Sequence, residues 1–278
     1  ITAGAFVLGI SVWHLSRRKA AGSDTEVYRK SMRLALVTVF VASLGVMVSG
    51  HIQGQVMTKQ QPMKMAAAEA LYKTEKPASF SLFTIGSLNG KKEVYSLRVP
   101  GVLSFLATGS FSGKVEGINA IQAEYTQLYG PGNYAPDIPV TYWTFRLMMG
   151  FGFLATLLSV AGLWLSRRKR APAGRWFRRA CMWGIALPFL ANSAGWLFTE
   201  LGRQPWTVFG LMKTSQAVSP SVGLASVITS FTVFTLLYAV LAVINVKLML
   251  RYIRGGMPGE ETLTTPTDGV APALAFSY

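Results

Sequence analysis

The chain has 278 residues, of which 51% are hydrophobic and only 14% charged, too apolar a balance for an ordinary soluble domain. A formal net charge of +15 would suit a nucleic-acid partner if it were spread over one surface, but the bases gather in three connections, which excludes that reading. The single cysteine, Cys181, excludes an intrachain disulfide or a multi-cysteine metal site and is read as a small buried hydrophobe.

Uncharged runs at 1–16, 34–50, 147–166, 180–199 and 214–246 predict an all-α polytopic membrane protein of about five transmembrane helices, since a hydrocarbon core of about 30 Å needs roughly twenty apolar residues. Residues 1–16 start at Ile1 with neither an initiator Met nor a basic signal-peptide region. They are read as a span cut short, and the chain as the C-terminal part of a longer polypeptide. The basic connections are Arg17, Arg18, Lys19, Arg29, Lys30 and Arg33, then Arg167 to Arg170 with Arg175, Arg178 and Arg179, then Lys247, Arg251 and Arg254. They alternate along the chain, so the positive-inside rule sets all three in the cytoplasm. The expected division is two spans in 1–50, an external region in 51–140, three spans in 141–250 and a cytoplasmic tail in 251–278.

His14 adjoins the first basic cluster and His51 ends the second span; both are read as interfacial, with a proton-releasing role for His51 as the alternative. Residues 51–140 are too long for a simple connector and are expected to be functional. Pro62 to Lys73, rich in Ala and Met, predicts a short helix carrying Lys64 and Glu69. Ser79–Leu88 and Lys91–Val99 flank Asn89-Gly90, a two-residue hairpin signal. From Pro100 to Pro139 the sequence is turn-rich and receives no assignment.

The third span opens with an aromatic belt at Tyr142 and Trp143 and carries Arg146 a turn inside it. Met148 follows, with Gly152 one turn on. A glycine there leaves the helix surface bare, as a flat macrocycle lying against it would require. The fourth span carries Pro188, Asn192, Trp196 and Glu200 at steps of four, with a kink expected at the proline. Arg203 lies three residues after Glu200, close enough to neutralise it. Ionisable groups at membrane depth usually mark function, so Glu200 and Arg203 are candidates for chemistry.

Glu200-Leu201-Gly202-Arg203-Gln204-Pro205-Trp206, Phe145-Arg146-Leu147-Met148 and Gln61-Pro62-Met63-Lys64-Met65-Ala66-Ala67-Ala68-Glu69-Ala70 resemble, in order, three motifs of the large subunit (subunit I) of cytochrome bd-type quinol oxidases. The resemblance implies an enzyme that oxidises quinol and reduces O2 to water with a low-spin haem b, a high-spin haem b and a haem d, separating charge without a pump. It implies Met148 as axial ligand of the low-spin haem, with Arg146 stabilising that haem's charge, and Glu200 as axial ligand of a high-spin haem. Trp196 would carry electrons between haems, Arg203 would lie near the propionates, and Lys64 and Glu69 would form the quinol site. A smaller second subunit, small accessory membrane subunits and membrane lipid are the implied partners, and the bacterial cytoplasmic membrane the implied location. The family's histidine opposite the Met ligand should precede Ile1, and its quinol loop is shorter here than in the longer-looped branch. A proton-coupled transporter using Glu200 and Arg203 is the alternative from another class, and a haem-bearing assembly subunit without oxidase activity a third.

Overall fold

The computed structural model describes residues 1–16, 23–86, 92–167 and 174–255. The clusters Arg17-Arg18-Lys19 and Arg168-Lys169-Arg170, the turn at Asn89-Gly90 and the tail beyond Gly255 therefore lie outside the described residues. Two units are distinguished, residues 1–221 and 222–278.

In the first unit, α1 (Thr2–Ser16) packs along α2 (Ser23–Gln60), which packs in turn on α6 (Ile138–Leu165). The most extensive helix pairing joins α6 to α8 (Leu187–Gly202). Small residues let these helices approach closely: a Cβ on Gly162 would come within 2.5 Å of Leu36, the close contact expected where small side chains drive helix association. Asp137 starts α6 by accepting a hydrogen bond from the Val140 amide at 3.0 Å, and Pro139 occupies its first turn, where no amide donor is needed. The fourth span is broken into α7 (Arg175–Gly184) and α8 across Ile185 and Ala186. Pro188 lacks the amide that would continue the ladder, so the expected kink falls there.

The 38 residues of α2 rise about 57 Å, well beyond a hydrocarbon core. Its last turns reach the polar region, where the His51 ring stacks on Phe105 with centroids 5.7 Å apart and contacts Gln55 Nε2 at 3.2 Å. At the other end, His14 stacks on Tyr28.

The polar region is built around α3 (Pro62–Ala68), in which Met63 through Ala68 are all buried. A helix enclosed on every side needs side chains small enough for neighbours to reach its backbone, and Ala66, Ala67 and Ala68 supply them. Met63, Ala66 and Ala67 face a core with Ile118, Ile121, Tyr125, Tyr134, Tyr142 and Trp206, while Met65 faces Leu71, Ala78, Leu103 and Val115. The helix is shorter than the Pro62–Lys73 expectation. Glu69 caps it, and Ala70 turns into the left-handed region at φ 46°.

The predicted hairpin is present as antiparallel β1 (Phe80–Gly86) and β2 (Glu93–Val99). The unassigned stretch contains α4 (Val102–Thr108) and α5 (Ile118–Tyr129). The first amides of α5 donate to the carbonyls of Leu71 and Tyr72 at 2.8 and 3.2 Å, so it docks directly on the chain leaving Glu69. After α8 comes a small ribbon of β3 (Trp206–Val208) and β4 (Met212–Lys213).

The second unit is α9 (Leu224–Gly255), apolar for most of its 32 residues, with Lys247, Arg251 and Arg254 near its end. It runs past position 250, where the tail was expected to begin. Four helical stretches among the described residues are long and apolar enough to cross a membrane: Thr25–Gln60, Ile138–Leu165, Arg175–Gly202 and Leu224–Gly255. The shorter apolar α1 is the fifth expected span.

Candidate functional site

Glu69 is 1% exposed, and a carboxyl so deeply buried requires partners. Arg146, from α6, provides the main one: its Nη2 donates to Glu69 Oε2 at 2.6 Å, with the arginine side chain itself only 10% exposed. The Ser81 amide donates to the same oxygen at 3.2 Å. Directly across the hairpin from Ser81, Arg98 donates to the carbonyls of Ala70 at 2.8 Å and Glu69 at 3.4 Å, and pairs with Glu93. The hairpin thus holds both the carboxylate and the backbone of Glu69. Phe80 and Tyr142 flank the Arg146 guanidinium, with ring centroids 4.8 and 4.7 Å from it. Tyr142 also hydrogen-bonds Ser81 Oγ at 2.8 Å, and Ser81 Oγ bonds Thr84 at 2.6 Å.

Burial pushes the Glu69 carboxyl above its ordinary pKa of 4.5, against the opposing pull of Arg146, the Ser81 amide and Arg98.

Lys64 leaves the enclosed α3 in another direction. Its stem crosses Gly202, where an added Cβ would lie 3.3 Å from its Cγ and Cε. Its Nζ donates to the Thr199 carbonyl at 3.3 Å and sits 4.9 Å from the centroid of the Phe198 ring. Burial lowers the lysine pKa, with Glu200 acting to raise it and Arg203 to lower it. A cavity of about 40 Å³ opens beside Lys64, lined also by Arg203, Gln204, Tyr134 and Trp206.

Glu200 and Arg203 form the expected one-turn ion pair at 2.7 Å, both partly exposed (37% and 39% of the side chain). Trp196 is 63% exposed on the same face of α8. Ala194, Phe198 and Gly202 are buried on the other face. Met148 points its sulfur at α8, where a Cβ on Gly195 would meet it at 2.8 Å; Gly152 meets nothing within 4 Å. The glycine against which the sulfur packs is therefore Gly195, which the sequence reading missed, while the bare surface at Gly152 stays open.

Six of the seven candidates thus fall into two neighbouring groups at the Glu200 end of α8, while Trp196 stands apart on its exposed face. One joins Glu69 to Arg146, two residues from Met148; the other joins Lys64 to Glu200, Arg203 and the α8 backbone. Lys64 and Glu69, expected as a pair on one helix, serve different groups, because Glu69 lies at the cap where the chain turns away. Arg98, Ser81 and Tyr142 were missed. Tyr142 lies one helical turn before Arg146 and could have been noticed by spacing; Ser81 and Arg98 carry no local signal.

These residues fit a haem pocket. Arg146 spends only Nη2 on Glu69, and among the described residues its buried Nε and Nη1 have no hydrogen-bond partner, nor has Nε of Arg203. Buried guanidinium donators left over in this way suit an anionic group such as a propionate. The Glu200 carboxylate stands 2.7 Å from Arg203 and the Met148 thioether packs on Gly195 of the same helix, two side chains of kinds seen among axial or metal ligands.

A family model described as cytochrome bd terminal oxidase subunit I matches residues 1–257. Cytochrome bd ubiquinol oxidase subunit 1 of Bacillus subtilis (strain 168) is 41% identical over 256 residues, covering 92% of this chain and 54% of its own. Cytochrome bd-II ubiquinol oxidase subunit 1 of Escherichia coli (strain K12) is 26% identical over 313 residues, covering 92% and 60%. A putative cytochrome bd menaquinol oxidase subunit I of B. subtilis is 30% identical over 264 residues, covering 94% and 56%. Among solved structures, bd oxidase from Geobacillus thermodenitrificans superposes with a TM-score of 0.76 at 27% identity, over 92% of this chain and 55% of that one. The chain spans about half the length of the curated relatives it matches.

Proposed function

The chain belongs to the cytochrome bd terminal oxidase subunit I family, and on that footing we propose that it forms the quinol-oxidising, haem-binding part of the large subunit of a respiratory oxidase that reduces O2 to water. The observation that carries this reading is the buried Glu69–Arg146 ion pair, which ties the polar region to the span presenting Met148 two residues on. The names of the relatives, two ubiquinol oxidases and a putative menaquinol oxidase, support a quinol as the electron donor.

In this reading the cofactors are a low-spin haem b, a high-spin haem b and a haem d, which when bound supply one-electron transfer and oxygen chemistry. Met148 would hold the low-spin haem, and a thioether ligand would favour its reduced state. Arg146 offers its two unused donors to an anionic edge of that group. Glu200 would hold a high-spin haem, Arg203 would balance its charge and that of the haem's acidic groups, and Trp196 would serve electron transfer between haems. Glu69 accepts a quinol proton and Lys64 helps to hold the quinol.

The polar region faces the outside of a bacterial cytoplasmic membrane, and the basic connections and tail face the cytoplasm. Quinol protons are released outside while those for O2 reduction come from inside, so charge is separated without pumping. A smaller second subunit, with small accessory membrane subunits and lipid, completes the enzyme.

The test is quinol-driven O2 uptake by the full-length enzyme carrying Lys64→Ala or Glu69→Ala. Uptake should fall at least tenfold, on the order of a lost proton-transfer group, with haem content intact. Unchanged uptake at limiting quinol would remove both residues from the quinol site. The proton-coupled transporter returns if the purified protein shows no haem absorbance.

A further inference from the structure

At the end of the Arg175–Gly202 span away from Glu200, α1 and α7 border an open groove of about 620 Å³. Arg175, Arg178 and Arg179 line it, at the i, i+3 and i+4 positions that share one helix face. No acidic side chain lines the groove, and none of the three arginines is ion-paired among the described residues. The Trp176 ring lies beneath two of them, 5.8 Å from the Arg175 guanidinium and 5.5 Å from that of Arg179. An aromatic face steadies a guanidinium without neutralising it. The rest of the lining is largely apolar, with Val12, Trp13, Met182 and Trp183, the last 77% exposed.

A cluster of positive charge at one end of a membrane span, not ion-paired to any acid among the described residues and continuous with exposed apolar side chains, is complementary to one kind of molecule. The geometry points to a site for an anionic phospholipid, its phosphate held by Arg175, Arg178 and Arg179 and its acyl chains lying over Met182 and Trp183. Basic pockets between membrane helices hold acidic lipid headgroups by this combination of charge and apolar contact. A free phosphate would satisfy the arginines alone and leave the apolar lining unused. A zwitterionic lipid would satisfy the apolar lining but bring a cation among three others. The site is independent of the haem and quinol assignments, since none of its residues touches them.

The experiment is native mass spectrometry of the full-length protein in detergent, titrated with phosphatidylglycerol, phosphatidylcholine or inorganic phosphate. The wild type should retain phosphatidylglycerol over phosphatidylcholine by roughly ten- to a hundredfold, as three arginines near a membrane surface imply. Millimolar inorganic phosphate should not displace the lipid. The triple variant Arg175→Gln, Arg178→Gln, Arg179→Gln should lose the preference, while Arg251→Gln with Arg254→Gln on α9 should keep it. If the triple variant does not fold, Arg178→Gln alone should reduce the preference severalfold. Equal retention of the two lipids by the wild type overturns the proposal, as does an undiminished preference in the arginine variants. Displacement by inorganic phosphate also overturns it, leaving a simple anion site.

Discussion

Glu69 occupies a costly position: its carboxylate is enclosed by protein, and its charge is balanced chiefly by Arg146 at 2.6 Å. Removing either partner leaves the other charge buried alone, a loss of about 3–5 kcal/mol unless the remaining group changes its protonation. Because burial raises the Glu69 pKa above 4.5, the folded protein holds this proton more tightly than the unfolded chain does. The associated stability is fully present below about 4.5, the ordinary value, and is lost as pH rises through the raised value. Glu69→Gln cannot titrate there, so wild-type melting temperature relative to the variant should fall as pH rises from 4.5, and parallel pH profiles would contradict the assignment. Glu200 has a different environment, half open and paired with Arg203. If it is a haem ligand, as the family resemblance suggests, Glu200→Ala should lose or distort high-spin haem and abolish O2 reduction while the low-spin haem stays reducible by quinol. Glu200→Gln should be nearly as damaging, because the charge goes although the size stays. Retention of all haems and normal O2 uptake in Glu200→Ala would return the residue to a structural partner of Arg203.

The elements around these residues were legible to different degrees, for physical reasons. The spans, the break at Pro188, the strands of the hairpin and the Glu200–Arg203 pair all follow from short-range rules of hydropathy, backbone donors and helical spacing. The helices α4 and α5 were hidden in a turn-rich stretch, although glycines delimit them: Gly101 and Gly109, at φ 75° and 76°, bracket α4. What no local rule could reveal was the meeting of Glu69 with Arg146, 77 residues apart, or the pairing of Ser81 with Arg98 across Glu69. Those contacts depend on how α5 seats the chain after α3. Gly117 makes that seat: its amide donates to Thr74 Oγ1 at 3.1 Å, and an added Cβ would lie 2.3 Å from the Lys73 carbonyl carbon. Because backbone cannot swing aside as a flexible side chain does, Gly117→Ala should destabilise the polar region by about 1–3 kcal/mol. Limited proteolysis should then cut between 70 and 130 sooner than in the wild type, with haem content unchanged. Equal cleavage rates would mean that α5 is not what holds this region.

On the scale of the molecule, the two groups of candidate residues converge on the same end of the α6 and α8 pair although their members come from three separate stretches of sequence. The polar region delivers Glu69 and Lys64, α6 delivers Arg146 and Met148, and α8 delivers Glu200 with Arg203 behind it. This convergence is what a quinol-to-haem path near one membrane face requires, and it makes Met148 the residue on which the account turns. Its sulfur lies against Gly195 of α8, and Arg146, two residues away along α6, has two unused buried donors. Met148→Leu preserves volume closely and removes only the thioether, so packing should change by less than about 1.5 kcal/mol. The decisive measurement is the quinol-reduced minus oxidised visible spectrum of the full-length Met148→Leu enzyme, with a redox titration of its low-spin haem. The account predicts that the low-spin signal is lost or that its midpoint falls, with high-spin haem retained; a low-spin spectrum and potential identical to the wild type would contradict it.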